Sequence, residues 1–188
     1  MLLAAGRSSL DAMKSLVDRL ASYAECHRDK RNIATHFVGI PMILVGTQAA
    51  LARIGIGPIN AAVGATALAT RYYRAVDPTY GAILGAALST TCAAGTVIAA
   101  LPLPLWAGSV MGLFVGGWAL QFLGHYFEGK KPAFLADVRR VLDGPLFLVA
   151  EVAFALGQSP ELRAEVERRA GPTRWGKVAA QDLATAAG

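Results

Sequence analysis

From residue 33 to residue 127 only Arg53, Arg71, Arg74 and Asp77 carry a full charge, and long apolar tracts fill the space between them. A charge at the centre of a bilayer costs about 3 kcal/mol or more, so a membrane imposes this distribution. The whole chain is 54% hydrophobic and 16% charged, with a mean hydropathy of +0.43. A soluble domain carries roughly a quarter charged residues. The fold class implied is all-α, an integral membrane helical bundle. The net charge of +5 comes from basic loops beside apolar tracts and so reads as membrane topology. Nucleic-acid binding would need a basic face on a soluble module, and none is visible. Cys26 lies in a polar segment and Cys92 within an apolar tract, which is no disulfide framework. The stretch around Arg7, Asp11, Lys14 and Asp18 is polar and periodic, so no cleavable signal peptide is expected.

Residues 8–30 predict an amphipathic helix. Leu10, Met13, Val17, Leu20 and Ala24 recur on one face, with Asp11, Lys14, Asp18 and Arg19 opposite. Such a helix lies in the interface plane, packs over the bundle or leads in from the cytosol. Four apolar tracts then follow, at 33–52, 59–70, 80–101 and 105–127. The second is short for a span of about 20 residues, and snorkelling arginines with Tyr72 and Tyr73 extend it to the interface. Turn chemistry at 54–58 separates the first two tracts, and Pro102 with Pro104 separates the last two. Residues 145–156, interrupted by Glu151, predict a re-entrant or interfacial helix. The expected organisation is one membrane-embedded domain, 1–157, and a cytoplasmic helical tail, 158–188.

Lysine and arginine placement gives the orientation. Arg28, Lys30 and Arg31 precede the first span, Arg71 and Arg74 follow the second, and Lys130, Lys131, Arg139 and Arg140 follow the fourth. Arg53 stands alone on the opposite side, so both termini are expected in the cytoplasm. On this topology His27, His36 and His125 reach one depth on one side, which points to a metal site. Each histidine alone would also fit an interfacial residue or a helix cap. His27 and His36 are nine residues apart and would face opposite sides of an unbroken helix at about 100° per residue. A shared metal therefore needs a chain break between them, and Asp29 and Asn32 suit one. Glu128 lies three residues after His125 on the same face. It can ligate the metal, orient a ligand's second nitrogen, or pair with Lys130 or Lys131 as a solvated charge. Imidazole with carboxylate suits iron, manganese or zinc, with iron preferred for oxygen chemistry. Gly39-Ile40-Pro41 predicts a kink, and Gln121 packs within the bundle or near the metal. Arg28, Arg31, Lys130 and Lys131 read as topology signals that can also draw an anionic headgroup towards the site.

Two blocks carry a resemblance. Tyr23, His27, Asn32, His36 and Gly39-Ile40-Pro41 form the first; Gln121-Phe122-Leu123-Gly124-His125, Glu128-Gly129-Lys130-Lys131-Pro132-Ala133-Phe134 and Gly144-Pro145-Leu146-Phe147 form the second. They are similar to the signature blocks of the 2-hydroxy fatty acid dioxygenases, small multispan membrane proteins. The resemblance implies an Fe(II)-dependent enzyme that uses molecular oxygen to remove one carbon from a long-chain 2-hydroxy fatty acid. In eukaryotic members this serves degradation of the sphingoid base phytosphingosine. The family's histidines map onto His27, His36 and His125, with Glu128 as fourth ligand or base, and Tyr23 and Asn32 beside the ligands. The nearby Arg28, Arg31, Lys130 and Lys131 would attract the substrate carboxylate from membrane lipid. The Ala-rich composition and short length fit a bacterial inner-membrane member. A non-enzymatic membrane scaffold that binds metal or lipid is the alternative.

Overall fold

A computed structural model describes residues 9–56, 59–135 and 137–176. The elements are α1 (Ser9–Ala24), α2 (Lys30–Leu51), a two-strand hairpin of β1 (Gly55–Ile56) and β2 (Ile59–Asn60), α3 (Ala61–Val76), α4 (Pro78–Ala99) and α5 (Leu103–Glu128). Two 3-10 turns, Ala133–Leu135 and Val138–Leu142, lead to α6 (Asp143–Ala155) and α7 (Pro160–Ala170). Gly57 and Pro58, the centre of the expected turn, lie outside the described residues, as does the tail from 177 onward.

Short polar side chains set the helix starts. Asp29, Asn60 and Asp77 cap α2, α3 and α4 by accepting from backbone N–H groups of the first turn. α5 begins after Pro102 and ends at Gly129, whose φ of 73° is the left-handed conformation that glycine takes without strain. α2 runs through Pro41 without a break in the helix.

Among the described helices, α2, α4 and α5 are long and apolar enough to cross a membrane. The expected second span differs. Helix α3 absorbs Arg71–Arg74 and has 16 residues, about 24 Å of rise against a hydrocarbon core of about 30 Å. Chain continuity nevertheless carries α3 across. The end of α2 meets the start of α3 and the end of α4: Gln48 donates to Thr66 at 3.0 Å, and Gly95 packs on Gln48 and Ala49. The end of α3 meets the start of α4, where Gly81 packs on Tyr73 and Arg74. Residues 52–77 therefore return the chain from one side of the bundle to the other. The far side is closed by Arg53, which donates to the carbonyls of Ala99 and Leu101 and lies 4.2 Å from the Trp106 ring centre.

α5 packs antiparallel on α2 through small residues, which lipid-embedded helices use for close approach. A Cβ on Gly117 would lie 2.7 Å from the Gly39 carbonyl oxygen, and one on Gly46 would lie 3.2 Å from Leu113 Cβ. The rest of α5 presents Leu105, Met111, Phe114 and Val115 outward, as a lipid-facing helix does.

The densest core sits at the opposite, near side. There Leu16, Leu20 and Ala24 of α1 meet Tyr73, Val76, Tyr80, Leu84, Leu146, Phe147 and Phe154. Helix α1 thus packs over the bundle. α6 has 13 residues, too few to span, and the chain bends by 119° between Val138–Ala155 and Pro160–Ala170. The bend falls where Gly157 and Ser159 both take positive φ. Contacts cross the boundary expected at 157. Val166 of α7 is buried in the core, Arg169 pairs with Asp18 at 2.7 Å, and Arg174 forms a parallel bridge with Asp29.

Candidate metal centre

The break between α1 and α2 turns the chain so that His27 and His36 face one point. α5 supplies His125 from the other side. The three side chains are 0%, 1% and 6% exposed, and one ligand atom from each lies within 4.8 Å of the others. Two nitrogens bound tetrahedrally to one ion at about 2.1 Å are about 3.4 Å apart, so the three rings would draw inward around a metal.

The hydrogen bonds fix which nitrogens face inward. His27 Nδ1 lies 2.6 Å from the Tyr23 carbonyl oxygen and His36 Nδ1 lies 2.9 Å from that of Asn32. A carbonyl oxygen only accepts, so both Nδ1 atoms donate their proton and both neutral rings present an Nε2 lone pair. Those two lone pairs face each other at 3.1 Å with no proton to share. A cation between them converts a repulsive contact into two bonds, so the donor set fits a divalent transition metal. Burial, reinforced by His36, holds His27 well below the ordinary histidine value and keeps it neutral. Among the described residues Nδ1 of His125 has no hydrogen-bond partner, although the backbone of Lys130 lies beside the ring.

Close packing brings the helices together here. A Cβ on Gly124 would overlap Asn32 and Thr35 and lie 3.1 Å from His36 Nδ1. Gly124→Ala is expected to force α2 and α5 apart, costing about 1–3 kcal/mol. Thermal unfolding in detergent and metal retention should both fall. An unchanged midpoint with full metal content would show that the contact is slack.

Tyr23 stacks on His27 with ring centres 3.9 Å apart and planes 3° from parallel. Burial raises the Tyr23 phenol above its ordinary value, so it stays protonated and can donate to a bound oxygen. Asn32 lies under the cluster, donating to the Cys26 carbonyl at 2.9 Å and to Glu128 at 3.3 Å.

The structure does not bring the Glu128 carboxylate among the three nitrogens. Its Oε2 accepts from the backbone N–H groups of Arg28 at 2.9 Å and Asp29 at 2.7 Å, and its Oε1 accepts from Arg174 at 2.8 Å. Glu128 therefore ties the end of α5 to the turn that carries His27. Three of the four basic residues expected to draw substrate are similarly engaged. Arg28 is buried, pairs with Glu151 at 3.2 Å and donates to the carbonyls of Ala24, His27 and Gly171. Arg31 grips Asp29 at 2.7 Å and covers the Phe127 ring. Lys130 donates to the Glu25 carbonyl at 2.7 Å, and Lys131 is exposed.

A pocket opens from the histidines. Its polar end holds Tyr23, His27, His36, His125, Gln121 and Arg140, and its apolar walls are Ile40, Ile43, Leu44, Trp118, Phe134, Val141 and Pro145. Beside it the 3-10 segment exposes Leu135, Val138, Val141 and Leu142, an apolar rim suited to lipid. Arg140 and Arg174 were not legible as site residues: the first reads as a topology charge, and the second lies in a tail without hydrophobic periodicity.

Fold and site together define a class: a helical membrane protein whose buried imidazoles can hold a metal in the wall of a largely apolar pocket. Residues 13–156 match the family described as 2-hydroxy-palmitic acid dioxygenase Mpo1-like, and the chain belongs to that family. It is also similar to a protein of Saccharomyces cerevisiae named 2-hydroxy-palmitic acid dioxygenase MPO1, at 28% identity over 167 residues, covering 84% of this chain and 90% of the relative. No solved structure matches the chain.

Proposed function

We propose that this protein is an Fe(II)-dependent dioxygenase that shortens long-chain 2-hydroxy fatty acids by one carbon, a step of fatty acid alpha-oxidation. The observation that carries the reading is the convergence of three imidazoles at the polar end of a pocket whose other walls are apolar. Family membership and the yeast relative's name supply the substrate class. Three imidazoles alone suit several metals, and the choice of iron rests on the oxygen chemistry.

In this reading His27, His36 and His125 would hold the metal. When bound, Fe(II) would supply Lewis-acid and oxygen-activating chemistry beside the headgroup of a 2-hydroxy acid. The carbonyls of Tyr23 and Asn32 fix the two Nδ1 protons and so aim the ligand nitrogens. The Tyr23 ring holds His27 flat, and its hydroxyl donates to an oxygen of the headgroup. Glu128 and Asn32 hold the His27 turn in place. Leu44, Trp118 and Phe134 take the acyl chain and exclude water. One 2-hydroxy acid and one dioxygen give the shorter acid, carbon dioxide and water with no outside reductant, so the site needs no electron donor.

The basic residues beside the near side support a reading in which the histidines and both termini face the cytoplasm. The Ala-rich composition fits a bacterial inner membrane. The test is product mass spectrometry under aerobic, iron-replete conditions. 2-Hydroxypalmitate should yield pentadecanoate, and palmitate, which lacks the hydroxyl, should turn over poorly. No shortened acid from 2-hydroxy acids of several lengths would leave a metal- or lipid-binding scaffold as the better reading.

A further inference from the structure

Beyond Tyr23 and the histidines, the pocket holds two polar side chains, Arg140 and Gln121, whose donors find no partner among the described residues. Arg140 makes no side-chain hydrogen bond or ion pair among the described residues. Asp143, whose charge it feels, is already paired with Arg19 at 2.8 Å. Arg28 and Arg31, by contrast, are consumed by Glu151 and Asp29. Gln121 is 5% exposed, and its buried Nε2 has no hydrogen-bond partner. The amide packs against Gly39 of α2, and a buried donor left unpaired costs about 1–3 kcal/mol, which an oxygen brought within its reach would recover. Both Arg140 and Gln121 line the same pocket as the histidines.

Local structure explains how Arg140 arrives there. Asp137 caps the 3-10 turn Val138–Leu142 by accepting from the Arg139 backbone. Within that turn Val138 and Arg139 are exposed, whereas Arg140 is half-buried and lines the cavity. The turn thus sets a cation in the pocket beside the exposed apolar Val138, Val141 and Leu142, where a carboxylate would enter with its acyl chain still in the bilayer. A guanidinium offers such an oxyanion paired donors that a lysine cannot reproduce.

Building on the reading above, we propose that Arg140 anchors the carboxylate of the 2-hydroxy acid while the Gln121 amide donates to its hydroxyl or carboxylate oxygen, so that the headgroup meets the histidines in one orientation. Arg140 is then the residue that distinguishes a free acid from an uncharged lipid of the same length. Gln121 serves any headgroup oxygen, charged or not.

Calorimetric titration of the full chain in detergent tests this, with 2-hydroxypalmitate and its methyl ester as probes, on metal-free and iron-loaded protein. Arg140→Gln should weaken the acid by about 10- to 100-fold, the effect of one charge-assisted hydrogen bond, and leave the ester unchanged. Arg140→Lys should recover part of the loss, and Gln121→Leu should weaken acid and ester alike. Arg140 has no partner to lose, so Arg140→Gln should melt with the wild type. Wild-type affinity for the acid in Arg140→Gln, equal losses for acid and ester, or no binding of the acid by the wild type would each overturn the proposal. The two readings separate cleanly. Arg140-dependent binding without turnover removes the reaction and keeps the anchor. Turnover with an unchanged KM in Arg140→Gln keeps the reaction and removes the anchor.

Discussion

Alanine in place of His27, His36 or His125 is expected to abolish turnover of 2-hydroxypalmitate while leaving a folded bundle. Loss of an outer partner of a metal ligand typically costs 10–100-fold, so loss of a ligand should exceed about 100-fold. The metal-free chain should tolerate the change. His36→Ala removes one of two lone pairs that face each other at 3.1 Å, which offsets part of the cavity it leaves. Thermal unfolding with and without chelator reads this directly. Chelation should lower the wild-type midpoint and leave that of each variant in place, because a metal that binds only the native state stabilises it. Variants that keep turnover, or that still respond to chelator like the wild type, would place the metal elsewhere.

Glu128→Ala is expected to be the most damaging substitution outside the histidines, and its effect falls first on stability. It strips a carboxylate from the buried N–H groups of Arg28 and Asp29, from the Asn32 amide and from Arg174. Breaking a buried charged pair costs about 3–5 kcal/mol, a fall of roughly 10 °C in the unfolding midpoint for a chain of this size. Glu128→Gln keeps one acceptor oxygen and should fall between. Because the turn carrying His27 hangs on this carboxylate, metal affinity should drop with stability in both variants. A Glu128→Ala protein that melts with the wild type but loses all metal would make Glu128 a ligand.

The bundle was legible because the bilayer writes itself into sequence: few charges between 33 and 127, with basic residues at the ends of the tracts. The histidine cluster followed from the same pattern, since topology alone brings His125 to the depth of His27 and His36. What remained hidden depends on partners distant in sequence. The i, i+3 spacing placed Glu128 on the face of His125, but nothing local announced that the backbone of 28–29 and Arg174 would occupy its oxygens. Arg28 looked like a free surface cation because Glu151 lies 123 residues away. Arg71 and Arg74 looked like the end of a span, yet the helix continues through them to Val76. Arg140 was indistinguishable from Arg139 until the 3-10 turn sent the two to different environments.

The central claim is that a metal held by the three histidines performs the shortening. Its most direct test is to quantify metal in anaerobically purified protein and follow conversion of 2-hydroxypalmitate to pentadecanoate before and after chelation. One metal ion per chain is expected, with conversion lost on chelation, restored by Fe(II) and not restored by Zn(II). Conversion that persists after every metal has been removed would contradict it.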